Sequence, residues 1–377
     1  MSASGSFVPA AIARLPWQML FLVCAIAAFG VMVLYSAAGG SLSPWALNHA
    51  VRFIFFLGVA VAISFVPVSL FRNLTFPAYA VVLVLLIGVE LVGAVAGGAQ
   101  RWLDLGFMRL QPSEFMKPII VLAVAAFYDL LPSGDLRKFS AIWPAAALIA
   151  VPAAFIMLQP DLGTALMVVF SGIVVMFLAG LPLRLFVGGG ALIAAAIPVI
   201  YGFVLHDYQR KRVATFLDPD SDPLGTGYHI SQSKIAIGSG GIGGKGFLNG
   251  TQSSLEYLPE GHTDFVFATM SEEWGLLGGC AIILGFGLII RWGYKVAFAA
   301  PTRFTRLAAG GLCATIFFYV SVNMMMVMGL APVVGIPLPL FSYGGSAMMT
   351  VMMCIGMLMA IDRENKRGGV RGALHRR

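Results

Sequence analysis

Long apolar segments recur along the whole 377-residue chain, and they constrain its fold more than any other feature. A helix that crosses a lipid bilayer needs about 20 mainly apolar residues. Only 11% of the residues are charged, too few to cover a water-facing surface of this size. The predicted spans are 17–38, 47–69, 75–97, 114–131, 140–158, 163–181, 185–205, 265–290, 304–328 and 338–361.

The apolar residues occur in blocks and do not alternate with polar ones, a pattern typical of membrane helices and not of an outer-membrane barrel. We therefore predict an all-α, polytopic membrane protein, a bundle of ten transmembrane helices that forms a single domain over 1–377. One long extracytoplasmic loop, 206–263, joins helices 7 and 8, and a basic cytoplasmic tail occupies 362–377. Prolines that predict tolerated kinks inside the spans are Pro118, Pro144, Pro152 and Pro198.

Lysine and arginine are distributed unevenly over the two sides that ten crossings define. The connections 39–46, 159–162 and 329–337 contain neither residue, whereas the side that holds both termini is basic. The positive-inside rule therefore places both termini in the cytoplasm and the long loop outside. The basic residues on the cytoplasmic side are Arg14, Arg72, Arg137, Lys138, Arg184, Arg291, Lys295, Arg303, Arg306 and those from Arg363 to Arg377.

The net charge of +7 does not indicate a nucleic-acid partner, because the basic residues lie at span ends and in the tail without interleaved aromatic residues. All four cysteines lie inside apolar segments, so a disulfide framework is not expected. Trp17–Ala38 is long enough to span and has no convincing cleavage site, so we predict the first helix there and no cleavable signal peptide.

The densest group of ionisable residues lies where the long loop meets the eighth span. Leu255–Gly275 reads LEYLPEGHTDFVFATMSEEWG and contains Glu256, Glu260, His262 and Asp264. Acidic neighbours and partial burial both raise the pKa of a carboxyl group, which suits Asp264 to accept a proton from a hydroxyl. Asp264 is also expected to be an N-cap or first-turn acid that complements the helix dipole. A metal site formed by these four residues is an alternative, although their spacing matches no established pattern.

Glu272 and Glu273 follow about two turns into the same span. Acidic residues inside a membrane span are expected to be functional. A polar pairing within the bundle, for example with Asn323, is equally consistent with the sequence.

The long loop contains a basic cluster, Arg210, Lys211 and Arg212. It is consistent either with contact to lipid headgroups or with binding of an anionic substrate group. Tyr228–Ile237 has apolar residues at near-helical spacing and predicts a helix along the membrane interface.

The glycine-rich run 238–246 reads GSGGIGGKG. It lacks the preceding strand of a dinucleotide site and the Ser or Thr of a Walker A loop. We therefore predict a flexible loop whose backbone approaches a lipid headgroup or a substrate.

Two outer connections carry further candidates. In 100–117, Glu114 and Lys117 are three residues apart and can pair on one helix face, as a structural clamp between helix and loop. Arg101 and Arg109 are the alternative there, as residues that contact substrate.

Asp161 follows Gln159 and Pro160 in a short outer turn, where it either caps the sixth helix or adds a second acidic position to the site. The last loop contains Ser342 and Tyr343 among prolines and small residues. Small residues permit close helix packing, and a broken helix entry that lines a cavity is the functional alternative.

Five segments together resemble the SEDS family, the shape, elongation, division and sporulation glycosyltransferases of bacteria. They are RLQPSEFMK (109–117), QPDLGT (159–164), QSKIAIGSGGIGGKGFLNGTQSSLEYLPEGHTDFVFA (232–268), EEWGLLGG (272–279) and GIPLPLFSYGGS (335–346). The third segment looks more like the rod-shape members than like the division members. The resemblance spans nearly the whole chain, with one mild departure at Gly261, where a basic or small residue often occurs.

The resemblance implies a ten-helix bundle that polymerises lipid II into glycan strands at the outer face of the bacterial cytoplasmic membrane during cell elongation. It assigns the essential acid of the HTDF motif to Asp264, the paired Glu and Lys to Glu114 and Lys117, and the QPD acid to Asp161. A class B penicillin-binding protein, which supplies transpeptidase activity, is the expected partner, in addition to membrane lipids.

By analogy with the family, Asp264 accepts the proton of the acceptor's GlcNAc 4-hydroxyl, whose oxygen then attacks the donor MurNAc. The sequence requires no cofactor. The leaving undecaprenyl pyrophosphate needs cationic help from Arg210, Arg212, Lys117 or a divalent cation, Mg or Mn, for which Asp264 and Glu260 are the candidate ligands. Further candidates for substrate contact are Lys245, Glu260, His262 and Ser342.

A lipid II flippase, which is a transporter, is the alternative function. A transferase needs its acid at the outer surface, whereas a flippase needs a polar path across the membrane. The polar groups gather on the outer side, which favours the transferase. A scaffold for cell-wall enzymes would explain the basic tail but not the acidic cluster.

Overall fold

The computed structural model describes residues 15–96, 99–104, 109–136, 138–205, 207–219, 222, 225–255, 257–258 and 260–374. In this part of the chain a helix occupies each of the ten segments predicted as spans. The helices are α1 (Trp17–Ala37), α2 (Ala46–Ser64), α3 (Val68–Val92), α4 (Pro112–Leu130), α5 (Phe139–Leu158), α6 (Leu162–Leu178), α7 (Leu183–Val199), α8 (Asp207–Leu217), α9 (Thr226–Ser239), α10 (Thr251–Ser254), α11 (Val266–Ala299), α12 (Arg303–Val327) and α13 (Gly345–Leu374).

Seven of the described helices are long and apolar enough to cross a membrane: α1, α2, α3, α5, α11, α12 and α13. Helices α6 and α7 are apolar but shorter, with 17 residues each, and the π-helical turn Ile200–Val204 continues α7. Helix α4 has 19 residues and carries two charged side chains into the bundle.

Three short strands, which the sequence analysis did not predict, lie between α3 and α4. They are β1 (Ala94–Ala96), β2 (Ala99–Asp104) and β3 (Arg109–Leu110), and they pair antiparallel in the order β1-β2-β3. Strand pairing satisfies backbone groups of this connection that would otherwise lack hydrogen-bond partners. The sheet also holds β2 against α4.

The long loop is largely helical in its described residues, because α8, α9 and α10 all lie within 206–263. Helix α9 confirms the helix predicted at Tyr228–Ile237. Its buried side chains include Ile230, Ser233 and Ala236, and the helix packs against α11 and α12. The Ser233 hydroxyl donates to the backbone oxygen of Val327 over 2.7 Å.

Helix α12 lies at the centre of the bundle, in contact with α4, α6, α11 and α13. Two glycines permit the close approach on one of its faces: a Cβ atom on Gly311 would lie 2.5 Å from Val175 Cγ2, and one on Gly310 would lie 2.6 Å from Leu178 Cδ1. Such small residues replace a hydrophobic driving force as the basis of helix packing in lipid.

Candidate functional site

Asp264 lies in the turn that ends the long loop, two residues before α11 begins at Val266. Its backbone carbonyl accepts a hydrogen bond from Nδ2 of Asn323 in α12 over 2.9 Å. The same amide donates to the backbone oxygen of Ile336 over 2.7 Å. One side chain therefore joins the Asp264 turn to the loop between α12 and α13.

The Asp264 carboxyl group lies beside the backbone of Gly335. A Cβ atom on Gly335 would lie 3.6 Å from Asp264 Oδ2, and the φ of +74° at Gly335 is one that L side chains rarely adopt. Asp264 does not cap α11: the N-cap residue is Phe265, and neither a side-chain cap nor a first-turn acid is present. The predicted capping role is therefore wrong, and the carboxyl group is available for other contacts.

The pKa of Asp264 is raised to about 6, first because burial disfavours its charged form and second because Glu260 lies nearby. The positive charge of Arg212 opposes this shift. At neutral pH the carboxylate is mostly ionised, yet it holds a proton more strongly than an ordinary aspartate does. Both properties suit a general base.

Glu260 is exposed and has a positive φ of 56°. Its Oε2 accepts a hydrogen bond from the Thr263 hydroxyl. The turn thus places a second carboxylate near Asp264 without burying it.

His262 lies between Trp45 and Tyr343. The indole of Trp45 stacks on the imidazole, with 4.0 Å between ring centroids and 9° between the planes. The backbone oxygen of His262 accepts from the backbone N–H of Tyr343 over 2.9 Å. Burial lowers the pKa of His262, and the charge of Glu260 opposes that effect. On the far side, the guanidinium of Arg52 lies 4.7 Å from the centroid of the Tyr343 ring.

A cavity of about 600 Å³ opens beside this aromatic array. Arg52 from α2, Trp102 from β2 and Gln111 before α4 provide its polar lining, together with Tyr343 and the small residues that follow it. A volume of this order holds a ligand the size of a sugar. The cavity therefore adjoins the Asp264 turn through the contact of Tyr343 with His262.

A second, apolar groove of about 220 Å³ adjoins the loop that carries Gly335. Leu162 and Phe170 of α6 and Val334 of that loop form part of its wall, and Arg212 of α8 is its cationic residue. Because Arg212 lowers the pKa of Asp264, its charge lies within electrostatic reach of the carboxylate. The groove combines an apolar wall and a cation near the proton acceptor.

The other two residues of the predicted basic cluster have contacts elsewhere. Arg210 donates to the backbone oxygen of Gly202 over 2.8 Å, and Lys211 Nζ lies 3.7 Å from Asp222 Oδ2. No comparable effect of either residue on the pKa of Asp264 is evident among the described groups.

Helix α11 is interrupted at Gly275, where φ is 61° and ψ is −157°. The glycine-rich run 238–246 lies against this break and replaces the helical hydrogen bonds that it removes. Four backbone bonds of 2.9 to 3.2 Å join them: from Lys245 to Glu272, from Gly246 to Glu273, from Leu276 to Gly241 and from Leu277 to Ile242. The glycine-rich run therefore stabilises the short segment that begins α11 by hydrogen bonding across the break.

The glycines of the run permit this contact. A Cβ atom on Gly244 would lie 2.0 Å from the carbonyl oxygen of Glu273, and one on Gly240 would lie 2.0 Å from that of Ser271. The close backbone approach that the sequence predicted is thus made to the chain's own helix.

Glu272 is fully buried, and its Oε1 accepts from Lys245 Nζ over 2.6 Å. Glu273 accepts from the hydroxyl of Ser36 in α1. The pairing of these acids with Asn323 is wrong, since the Asn323 amide donates to the Asp264 turn. Further donors to Glu272 are the Thr251 backbone and hydroxyl and the Gln252 backbone.

Glu114 and Lys117 form the predicted ion pair, with 2.7 Å between Oε1 and Nζ. The Tyr319 hydroxyl donates to Glu114 over 2.7 Å and accepts from Lys117 over 2.6 Å, and the Thr350 hydroxyl donates to Glu114 over 2.6 Å. The clamp joins α4, α12 and α13 deep in the bundle, and not a helix to a loop. Charges buried in a bundle persist when they are paired in this way.

Asp161 caps α6 as predicted, because its Oδ1 accepts from the backbone N–H of Thr164 over 3.1 Å. Its Oδ2 accepts from Nε2 of Gln111 over 3.2 Å. Arg101 donates to the backbone oxygen of Gln159 over 3.1 Å. These contacts hold the turn before α6 against the start of α4.

Of three other predicted residues, the structure describes the side chain of Ser342 alone. Ser342 is buried, and its Oγ accepts from the backbone N–H of Leu338 over 2.8 Å. Arg109 lies in β3, but its side chain and the whole of Glu256 lie outside the described residues. Among the described residues no three His, Cys, Asp or Glu side chains are grouped to hold a metal ion.

Tyr343 and the small residues after it line a cavity, which is the functional alternative that the sequence left open for the last loop. The sequence analysis missed Arg52, Trp45 and Gly335. They come from connections and spans far from Asp264 in the chain, and they meet it only through the fold. The one available signal was Arg52, a lone arginine inside an apolar span. Such residues face a cavity or the bundle interior, as Arg52 does.

Comparison with known proteins agrees with the motifs. Residues 16–367 match the sequence profile of the FtsW, RodA and SpoVE cell cycle proteins. The peptidoglycan glycosyltransferase MrdB of Escherichia coli strain K12 is 44% identical over 348 residues, which cover 92% of this chain and 93% of MrdB.

Two solved structures are also similar to the fold. One is a chain of a peptidoglycan synthase complex that coordinates polymerization and crosslinking. It superimposes with a TM-score of 0.80 at 32% identity, over 93% of this chain and 98% of that one. The rod shape determining protein RodA of Thermus thermophilus superimposes with a TM-score of 0.70 at 30% identity, over 93% and 97%.

Proposed function

Because the chain belongs to the SEDS family of FtsW, RodA and SpoVE proteins, we propose that it polymerises lipid II with Asp264 as the general base. The protein is a peptidoglycan glycosyltransferase of cell elongation in the bacterial inner membrane. The observation that carries the assignment to Asp264 is its surroundings: a carboxyl group of raised pKa lies beside Gly335, within electrostatic reach of Arg212, and its turn is bonded to Tyr343, which lines the cavity that contains Arg52.

Asp264 removes the proton from the GlcNAc 4-hydroxyl of the acceptor as that oxygen attacks the anomeric carbon of the donor MurNAc. The bond from that carbon to the pyrophosphate breaks, and undecaprenyl pyrophosphate leaves with the bonding electron pair. Asp264 then returns its proton to water. A pKa of about 6 leaves the carboxylate ionised at neutral pH at the start of each cycle.

Arg212 is the cation best placed to stabilise the leaving pyrophosphate. It is near Asp264, and it lines an apolar groove that suits the first isoprene units of the donor. Lys117 is enclosed by Glu114 and Tyr319, and Arg210 is directed to Gly202, so neither is as well placed.

The cavity beside Tyr343 suits the acceptor, which is the second lipid-linked substrate of a polymerisation. Arg52 would meet its anionic group, and Trp102 and Gln111 its sugars. Asp264 and Glu260 would be the residues to hold a divalent cation, Mg²⁺ or Mn²⁺, which would supply positive charge to the leaving pyrophosphate. Polymerisation assayed with a chelator, and again after each cation is restored, tests that addition.

We further propose ten membrane crossings, with both termini cytoplasmic and Asp264 at the outer surface. The distribution of lysine and arginine supports this orientation. A class B penicillin-binding protein is the proposed partner, supported by similarity to a chain of a complex that coordinates polymerization and crosslinking.

The test is strand formation from purified lipid II by the protein with its transpeptidase partner, in wild-type and Asp264→Asn forms. We expect the variant to lose activity by about 100-fold or more. Glu260→Gln is the matched control, because it removes a carboxylate from the same turn and should still polymerise. A folded Asp264→Asn protein with wild-type strand formation would remove Asp264 from the reaction. Lipid II movement across a bilayer without strand formation would instead support the flippase.

A further inference from the structure

A cleft between α1 and α11 lies at the end of the bundle opposite Asp264. Two adjoining cavities of about 350 and 550 Å³ share Gln18, Met19, Trp292 and Lys295 as lining residues. A rise of 1.5 Å per residue makes the unbroken part of α11 from Leu276 to Arg291 roughly 22 Å long, and the short segment before Gly275 lies between that part and Asp264. The cleft is therefore separate from the site described above.

The cleft carries excess positive charge. Arg291 and Lys295 are one turn apart on α11, and both are exposed. Neither forms an ion pair with any residue that the structure describes. The third basic residue, Lys366 of α13, is already paired with Asp362 over 2.6 Å. Two cations in the cleft are thus available to an anion.

The rest of the cleft is layered like the edge of a bilayer. Trp17 is 54% exposed at its rim, together with the ring of Trp292. Further along the helices the wall is apolar and open to lipid, with Phe21 77% exposed and Leu288 40% exposed. Tryptophan at the interface, cations at the phosphate level and an apolar wall beyond match the order of groups in a phospholipid.

We propose that this cleft binds an anionic phospholipid of the phosphatidylglycerol type. Its phosphate lies between Arg291 and Lys295, and one acyl chain lies along Phe21 and Leu288. The alternative explanation is that Arg291 and Lys295 only orient the chain in the membrane. If the cations only orient the chain, replacing any two basic residues at this end should affect lipid binding equally, and the cavity should have no effect. The two explanations therefore predict different binding results.

The experiment measures lipid binding to the full-length protein in detergent by native mass spectrometry, with phosphatidylglycerol, phosphatidylcholine and inorganic phosphate as separate probes. Wild type should bind phosphatidylglycerol at least tenfold more tightly than phosphatidylcholine. Arg291→Gln combined with Lys295→Gln should remove that preference. Lys138→Gln combined with Arg184→Gln removes two charges at the same end and should leave it unchanged.

A second variant, Leu288→Trp, keeps both cations and fills the apolar wall. It should weaken phosphatidylglycerol binding severalfold and leave strand formation intact, since α11 is altered far from Asp264. Equal losses from the two double variants would overturn the proposal. So would displacement of the lipid by inorganic phosphate alone, or binding that survives both Arg291→Gln/Lys295→Gln and Leu288→Trp.

Discussion

Glu260 lies close enough to Asp264 for its negative charge to raise the pKa of the Asp264 carboxyl group. The exposed acid thus adjusts the proton affinity of the more buried one, and Arg212 acts in the opposite direction. The pH dependence of the reaction therefore reports the pKa of Asp264 and the influence of Glu260 and Arg212 on it.

Strand formation should rise as the pH increases through about 6, because Asp264 must lose its proton before it can act as a base. Glu260→Gln removes a like charge and should move the midpoint to lower pH. Arg212→Gln removes an opposite charge and should move it to higher pH, whatever its effect on the maximal rate. Initial rates across acidic and neutral pH measure both shifts. Midpoints that stay in place in both variants would contradict the assignment.

Gly244→Ala should destabilise the protein by about 3 kcal/mol or more, because the new Cβ atom meets the carbonyl oxygen of Glu273 and the backbone has a positive φ of 83°. Gly243→Ala is the control, since nothing lies within 4 Å of a Cβ atom there. It should stay within about 0.5 kcal/mol of wild type. Thermal unfolding in detergent measures both. Equal losses of stability from the two substitutions would mean that the glycine-rich run does not stabilise α11.

Lys245→Met should cost about 1–3 kcal/mol, because it leaves the buried carboxylate of Glu272 without its cation. Adding Glu272→Gln to Lys245→Met should recover part of that loss, since the uncompensated charge is then gone. A double-mutant cycle on unfolding midpoints gives the coupling. A coupling near zero would show that Lys245 is free to serve the substrate instead.

Asp161→Asn should retain near-wild-type strand formation, because an amide oxygen can still accept from the Thr164 N–H that begins α6. Asp161→Ala should lose about 1 kcal/mol of stability. Strand formation and thermal unfolding of both variants separate the two roles left open by the sequence. A stable but inactive Asp161→Asn protein would make this acid part of the chemistry.

Hydropathy predicts the long helices well, because segment length and composition are local properties. The observed helix ends differ from the predicted ones where the local backbone or tertiary contacts determine where a helix begins or ends. The last span was predicted from 338, but α13 begins at Gly345, since Leu340 has a positive φ of 63° that no right-handed helix contains. Helix α11 continues to Ala299, well beyond the predicted 290, because Arg291 can extend from a helix toward the headgroups.

The site was predicted in part. Asp264 and Glu260 stood out because acids are rare in such a chain, and the Glu114 pairing follows from helix periodicity. The contacts of Tyr343 with His262 and of Gly335 with Asp264 join residues about 70 to 80 positions apart. Sequence spacing carries no information on such contacts, so only the lining that the last loop contributes to the cavity was foreseen, as one of two alternatives.

The break at Gly275 divides α11 into a short first piece, which starts beside Asp264, and a long second one. Because this short piece shares backbone hydrogen bonds with the glycine-rich run 238–246, the two cannot separate without leaving amides and carbonyls unpaired. A protein that binds and displaces the run 238–246 must therefore also move the short first piece of α11 and Asp264, which precedes it.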